Sequence, residues 1–160
     1  MIHLSRSSSF RSALVLLFSL AVAGIAVGHM QRNRSADDEE PSFREYRGVQ
    51  IGWLADDVRK KLGSPADKGE EQDFYVFGEK ETAQILYDKG THKVTAISVD
   101  FMNGATDVIT PQQVFGADIE TKPDGSKYKL VRYPKAGYWV SYSRTAGDTP
   151  IVTITIQKLQ

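Results

Sequence analysis

The sequence predicts an α+β fold in which an N-terminal apolar helix is followed by two αβββ repeats, their strands forming an antiparallel sheet with the helices on one side. Three observations predict it. Residues 13–28 are apolar and uncharged, a short amphipathic helix with a hard stop precedes three strand-like runs, and a second helix-and-strand series follows at nearly the same spacing.

Arg6 and Arg11 precede the run ALVLLFSLAVAGIAVG, in which Ser19 is the one polar side chain. At ~1.5 Å rise per residue this run reaches about 24 Å, short of a ~30 Å hydrocarbon core. Residues 1–30 therefore read as an uncleaved N-terminal membrane anchor or as a signal peptide ending at a small-x-small site such as Ala21-Val22-Ala23 or Ala26-Val27-Gly28. Arg6 and Arg11 on one side are matched by Arg32 and Arg34 on the other, so the positive-inside count is a tie. A short basic N-terminus before a small domain is the usual arrangement of exported and N-in anchored proteins. The expectation is a single N-terminal span with an extracytoplasmic domain, or a secreted or periplasmic domain after cleavage. Residues 31–42 hold no apolar side chain larger than Ala and read as a flexible linker.

The rest, residues 43–160, reads as a single α+β domain with repeats at about 46–104 and 107–160. In the first, Leu54, Val58 and Leu62 recur every four residues, Asp56 and Asp57 open the helix, Arg59, Lys60 and Lys61 close it, and Gly63 with Pro65 stops it. Strand candidates follow at 73–77, 83–87 and 94–101; in the last, Ile97, Val99 and Phe101 alternate with polar or small residues. In the second, Thr110 is a fitting N-cap, Pro111 a fitting first helical residue, and strands are expected at 127–133, 138–143 and 151–158. From Gly63 the steps to Phe74, Leu86 and Ile97 are 11, 23 and 34; from Gly116 the steps to Tyr128, Val140 and Ile154 are 12, 24 and 38. That agreement suggests duplication. Val152, Ile154 and Ile156 are expected on the buried face, with Thr153, Thr155 and Gln157 outward.

Composition excludes more than it assigns. Lys+Arg and Asp+Glu number 20 each, and both the segment ending at Glu40 and the remainder are neutral, so no basic stripe is available for nucleic acid. The absence of Cys removes thiol nucleophiles, thiolate zinc sites and disulfides. No phosphate-binding glycine loop, dinucleotide fingerprint or nucleophile elbow is present, and no cofactor or metal is expected.

Gly52, Val58 and Leu62-Gly63-x-Pro65, followed by Phe74, Tyr75 and Phe77 and then Ile97-x-Val99-x-Phe101, resemble the SmpA/OmlA domain of BamE-type outer-membrane assembly lipoproteins. The pattern is also similar to the β-lactamase-inhibitor-protein-like superfamily, whose members repeat a helix-plus-sheet unit in tandem. The match covers about 49–101. The resemblance implies an extracytoplasmic, non-enzymatic module that binds protein partners and in some members lipid head groups, with Gly63 and Pro65 structural. Those lipoproteins are anchored through a Cys, which this chain lacks.

The one enrichment that points to binding is aromatic. Trp139, Tyr142, Tyr138 and Tyr133 are the candidate partner-binding residues; on a strand Tyr138, Val140 and Tyr142 share one face while Trp139 and Ser141 share the other. His92 lies in Lys89-Gly90-Thr91-His92-Lys93, a turn, without an evident partner. The expected function is a non-enzymatic, membrane-anchored or exported cell-envelope module engaging a protein or envelope partner. The alternatives are a small hydrolase or transferase using His92 with Asp88 or Asp100, and a purely structural anchored domain.

Overall fold

Alternation of apolar and polar side chains makes strands, and the local stops decide where each one turns. The computed structural model describes residues 40–160. Helix α1 (Ala55–Leu62) ends where Gly63 takes φ 86°, its N–H donating to the Arg59 carbonyl. Strands β1 (Asp67–Lys68), β2 (Gln72–Gly78), β3 (Glu81–Tyr87) and β4 (Val94–Phe101) follow, then α2 (Pro111–Phe115), β5 (Lys127–Tyr133), β6 (Tyr138–Arg144) and β7 (Val152–Lys158). The Thr110 hydroxyl accepts the Gln113 N–H while the Gln113 side chain accepts the Thr110 N–H, and Gly116 closes α2 in the left-handed region at φ 71°.

All seven strands form one antiparallel sheet in the order β1-β2-β3-β4-β7-β6-β5. Its register aligns Ile85, Ile97, Ile156 and Val140 in one row across four strands, all sealed from solvent. The adjacent row on the same face is Ala83, Val99, Ile154 and Tyr142. Val58 of α1 and Val114 and Phe115 of α2 join this core, so both helices lie against the same face. Asp73 ties α1 down: Arg59 donates to its two carboxylate oxygens at 2.9 and 3.0 Å, and the Tyr87 hydroxyl adds a third bond at 2.8 Å.

Two αβββ repeats are not what these residues form. The fold is predominantly one seven-stranded sheet, with helices of only eight and five residues. Four strands follow α1 but three follow α2, and the Tyr46–Val49 hairpin before α1 has no counterpart before α2. The equal spacing that suggested duplication has a simpler origin. A seven-residue strand plus a turn of three to five residues recurs every ten to twelve positions in any antiparallel meander.

The apolar helix expected at 13–28 lies outside the described residues. Among the described residues no helix is long and apolar enough to cross a membrane.

Candidate functional site

Among the described residues, one face of the sheet is covered by helices and the other, called the open face, carries none. Three residues from each of β2 to β7 make a grid of three rows on that open face. The rows are Gln72-Leu86-Ala96-Gln157-Trp139-Arg132, Phe74-Gln84-Ser98-Thr155-Ser141-Leu130, and Val76-Thr82-Asp100-Thr153-Ser143-Tyr128, each written in sheet order. Only Asp100 and Arg132 are ionisable acids or bases at neutral pH, against 25% charged residues in the whole chain. Neither Lys nor Glu occurs in the grid. Even Asp100 is occupied, since the Thr153 hydroxyl donates to it at 2.6 Å.

Side-chain size varies across the grid. The middle columns, on β4, β7 and β6, carry Ala96, Ser98, Asp100, Gln157, Thr155, Thr153, Ser141 and Ser143, with Trp139 the one large side chain among them, at the end of β6, and the Ser98 and Thr155 hydroxyls sit 3.1 Å apart. Phe74, Val76 and Leu86 flank one side, while Trp139, Leu130 and Tyr128 flank the other. Val76 is 54%, Tyr128 58% and Leu130 39% exposed. The result is a shallow trough with small hydroxyls along its floor and aromatic or aliphatic shoulders. Strand spacing of ~4.8 Å and a rise of ~3.4 Å per residue make it about 24 Å wide and about 14 Å along the strands.

The four candidate aromatics do not converge. Trp139 alone reaches the open face, half-buried between Gln157 and Arg132 in its row. Tyr133, Tyr138 and Tyr142 lie on the core side and are buried, with Tyr133 and Tyr138 tilted against each other at a centroid distance of 6.3 Å. Burial pushes the Tyr138 and Tyr142 hydroxyls up in pKa, so they stay neutral and carry no acid–base chemistry near pH 7. Phe74, Val76, Tyr128 and Leu130 are not among the candidate binding residues that the sequence offers. Their parity within each strand is visible there, but β5 alternates basic and apolar residues on both faces, so periodicity does not say which side is covered.

His92 is exposed in the β3–β4 turn at φ 53°, and its backbone, rather than its ring, does the structural bonding. The His92 carbonyl accepts the Ala55 N–H at 3.0 Å, which docks the turn on the start of α1. The Asp88 carboxylate accepts from the Thr91 N–H and hydroxyl, both at 2.7 Å, and from the Gly90 N–H at 3.2 Å. Those bonds hold the Asp88 carboxyl below the usual carboxylate range. Asp100 lies on the open face. Neither acid bonds the imidazole, although His92 does border a cleft of about 610 Å³ with Leu54, Asp56, Arg59 and Glu70. Arg59, the strongest cation there, is already committed to Asp73 and to the Gly69 carbonyl. Among the described residues no cluster of three or more His, Asp or Glu is placed to hold a metal ion.

Two buried polar groups have structural roles. Asp73 is fully buried and holds Arg59 and Tyr87, and burial, then its hydrogen bond to Asp73, raises the Tyr87 pKa. The neighbouring Tyr75 hydroxyl approaches the same carboxylate without reaching hydrogen-bond geometry, and burial raises its pKa to about 12. Near the chain's entry to the domain, the Tyr46 hydroxyl donates to Glu81, which also pairs with Arg47 at 3.0 Å, and the guanidinium lies 4.2 Å from the Phe77 ring centroid.

No protein-family model, curated protein or solved structure matches this chain.

Proposed function

We propose that the domain is a non-enzymatic binding module of the cell envelope that engages a protein partner through the open face of its sheet. Residues 1–30 serve as its membrane anchor or export signal in this reading. The single observation that carries it is the composition of the grid, in which eighteen aligned positions contain one acid, one base and no Lys or Glu. A sheet face that meets only water is normally polar and well charged. Depletion of charge with retention of Trp, Tyr and Phe is instead the signature of the core of a protein interface. A floor three strands wide, about 10 Å between its outer strands, suits one helix laid along the strands, whose diameter is ~10–12 Å, or a short extended segment. The resemblance to SmpA/OmlA domains, themselves partner-binding envelope modules, adds to the same reading.

The test uses the full chain expressed in its native membrane with a photo-crosslinking residue in place of Ser98. One dominant adduct is expected, lost on Trp139→Ala with Ser141→Lys and kept on His92→Ala. If the doubly substituted protein, still folded, keeps the same adduct, the open face is not the docking surface. Removal of residues 1–30 is expected to shift the protein out of the membrane fraction, and unchanged fractionation would remove the anchor.

A further inference from the structure

The two edges of the sheet are finished differently. At one edge β1 is two residues long, and the strand behind it, β2, is interrupted by an irregularity between Val76 and Gly78. Short strands and bulges are the ordinary means of blunting an edge against further pairing. At the other edge β5 keeps an unbroken seven-residue register with β6 and, among the described residues, has no strand beyond it. Among the described residues, no backbone hydrogen bond from the 117–122 segment reaches residues 127–132, so the outward N–H and C=O groups of those residues have no backbone partner there.

Basic residues guard many such edges, but here two of them are drawn back. The Lys127 ammonium lies 3.9 Å from Asp118, and the Lys129 ammonium lies 4.9 Å from the Phe115 ring centroid, both over the protein's own core side. On the open side, Tyr128 and Leu130 are left exposed at the edge.

We propose that two copies of this chain join through β5, paired antiparallel about a twofold axis at Leu130, into one continuous sheet. The register follows from parity and charge. A twofold axis perpendicular to the sheet pairs residues of the same face, so the axis must pass through a residue that meets itself. Centring on Lys129 sets ammonium against ammonium, and centring on Tyr128 sets Lys127 against Lys129. Centring on Val131 leaves Tyr128 facing Pro134, outside the strand, and shortens the paired stretch. Centring on Leu130 aligns all seven residues: Leu130 meets itself, Tyr128 meets Arg132 in cation–π contact, and Lys129 meets Val131. Like charges directly opposite destabilise a pair, so this register is selected. This association does not depend on what the open face binds.

The absence of Cys makes the register directly testable with single-cysteine variants of the full chain in mild detergent. Leu130→Cys is expected to form a disulfide-linked dimer on mild oxidation at least tenfold faster than Tyr128→Cys. In the proposed register two Tyr128 positions lie four residues apart, about 14 Å, beyond the ~3.5–4.5 Å Cβ separation a disulfide needs. Tyr128→Cys mixed with Arg132→Cys is expected to cross-link as a heterodimer. Sedimentation of the unmodified chain should give twice the chain mass, and Leu130→Lys should return it to one. Equal cross-linking at all three sites, a monomer at every concentration, or capture of a different protein by a monomeric β5 edge would each overturn the proposal.

Discussion

On the core side of the sheet, Ile85, Ile97, Ile156 and Val140 stand in one row and are closed off from solvent. One residue along, the same four strands present Gln84, Ser98, Thr155 and Ser141 to the open side. The first row is what any sheet needs in order to bury apolar area against helices. The second is not what a solvated face needs, because nothing in strand pairing forbids Lys or Glu there. The sharpest way to break this contrast is to show that both faces matter equally to stability. Asp73→Ala strands the Arg59 guanidinium and the Tyr87 hydroxyl and is expected to cost about 3–5 kcal/mol. Ile97→Ala should cost about 2–5 kcal/mol through lost burial and a cavity. Trp139→Ala, across the sheet, should cost about 1 kcal/mol or less. Urea titration of the three variants checks this. A Trp139 loss as large as that at Ile97 would make the open face part of the core.

The contrast also sharpens with pH. Burial is the leading cause that raises the pKa of Tyr46, Tyr75 and Tyr87, each on the core side, with Tyr75 reaching about 12. Each group binds its proton more tightly folded than unfolded, so its contribution to stability is complete below pH ~10 and is lost as pH rises through the folded pKa. Stability is expected to decline between about pH 10 and 12, with tyrosinate absorbance from Tyr46 and Tyr87 rising only on unfolding. Tyr75→Phe removes a buried hydroxyl that has no hydrogen-bond partner and is expected to raise stability at pH 7 by about 1 kcal/mol while making the alkaline decline less steep. A loss at pH 7 would mean that this hydroxyl has a partner in solution.

Local signals were legible and long-range ones were not. The α1 stripe and its stop at Gly63, the capped turn at Thr110, and the alternation of Val152, Ile154 and Ile156 all depend on near neighbours in the chain. The Gly63 stop, the Thr110 cap and the β7 alternation are found where near neighbours place them, but the stripe is not: Leu54 caps α1 and is exposed, Leu62 is half-buried, and Ala55 joins Val58 in the core instead. The two-residue β1 depends on pairing Asp67 with Phe74 and Lys68 with Asp73, and two residues carry no period. The repeat failed for a related reason, since regular spacing records strand and turn lengths and says nothing about common ancestry. The aromatic candidates divide by parity. Tyr138, Tyr142 and Trp139 occupy opposite faces of one strand, and both faces carry aromatics, so only helix packing decides which set is covered. The grid itself needs the β4–β7 register, which joins residues more than fifty positions apart.

The smallest expected effect bears most directly on why the open face is built as it is. Ser98 and Thr155 sit opposite each other on β4 and β7 with their hydroxyls 3.1 Å apart, at the middle of the trough floor. A cross-strand hydroxyl pair contributes ~0.2–1 kcal/mol relative to alanines, and in a partly exposed site water competes for both groups. A double-mutant cycle with Ser98→Ala and Thr155→Ala is therefore expected to give a coupling of about 0.5 kcal/mol. Folding would then place little demand on hydroxyls at these positions, and their small size, which keeps the floor low and uncharged, would be explained by an occupant. A coupling well above 1 kcal/mol would reverse that inference: the hydroxyl row would be a structural ladder, and the low charge of the trough a by-product of holding β4 against β7.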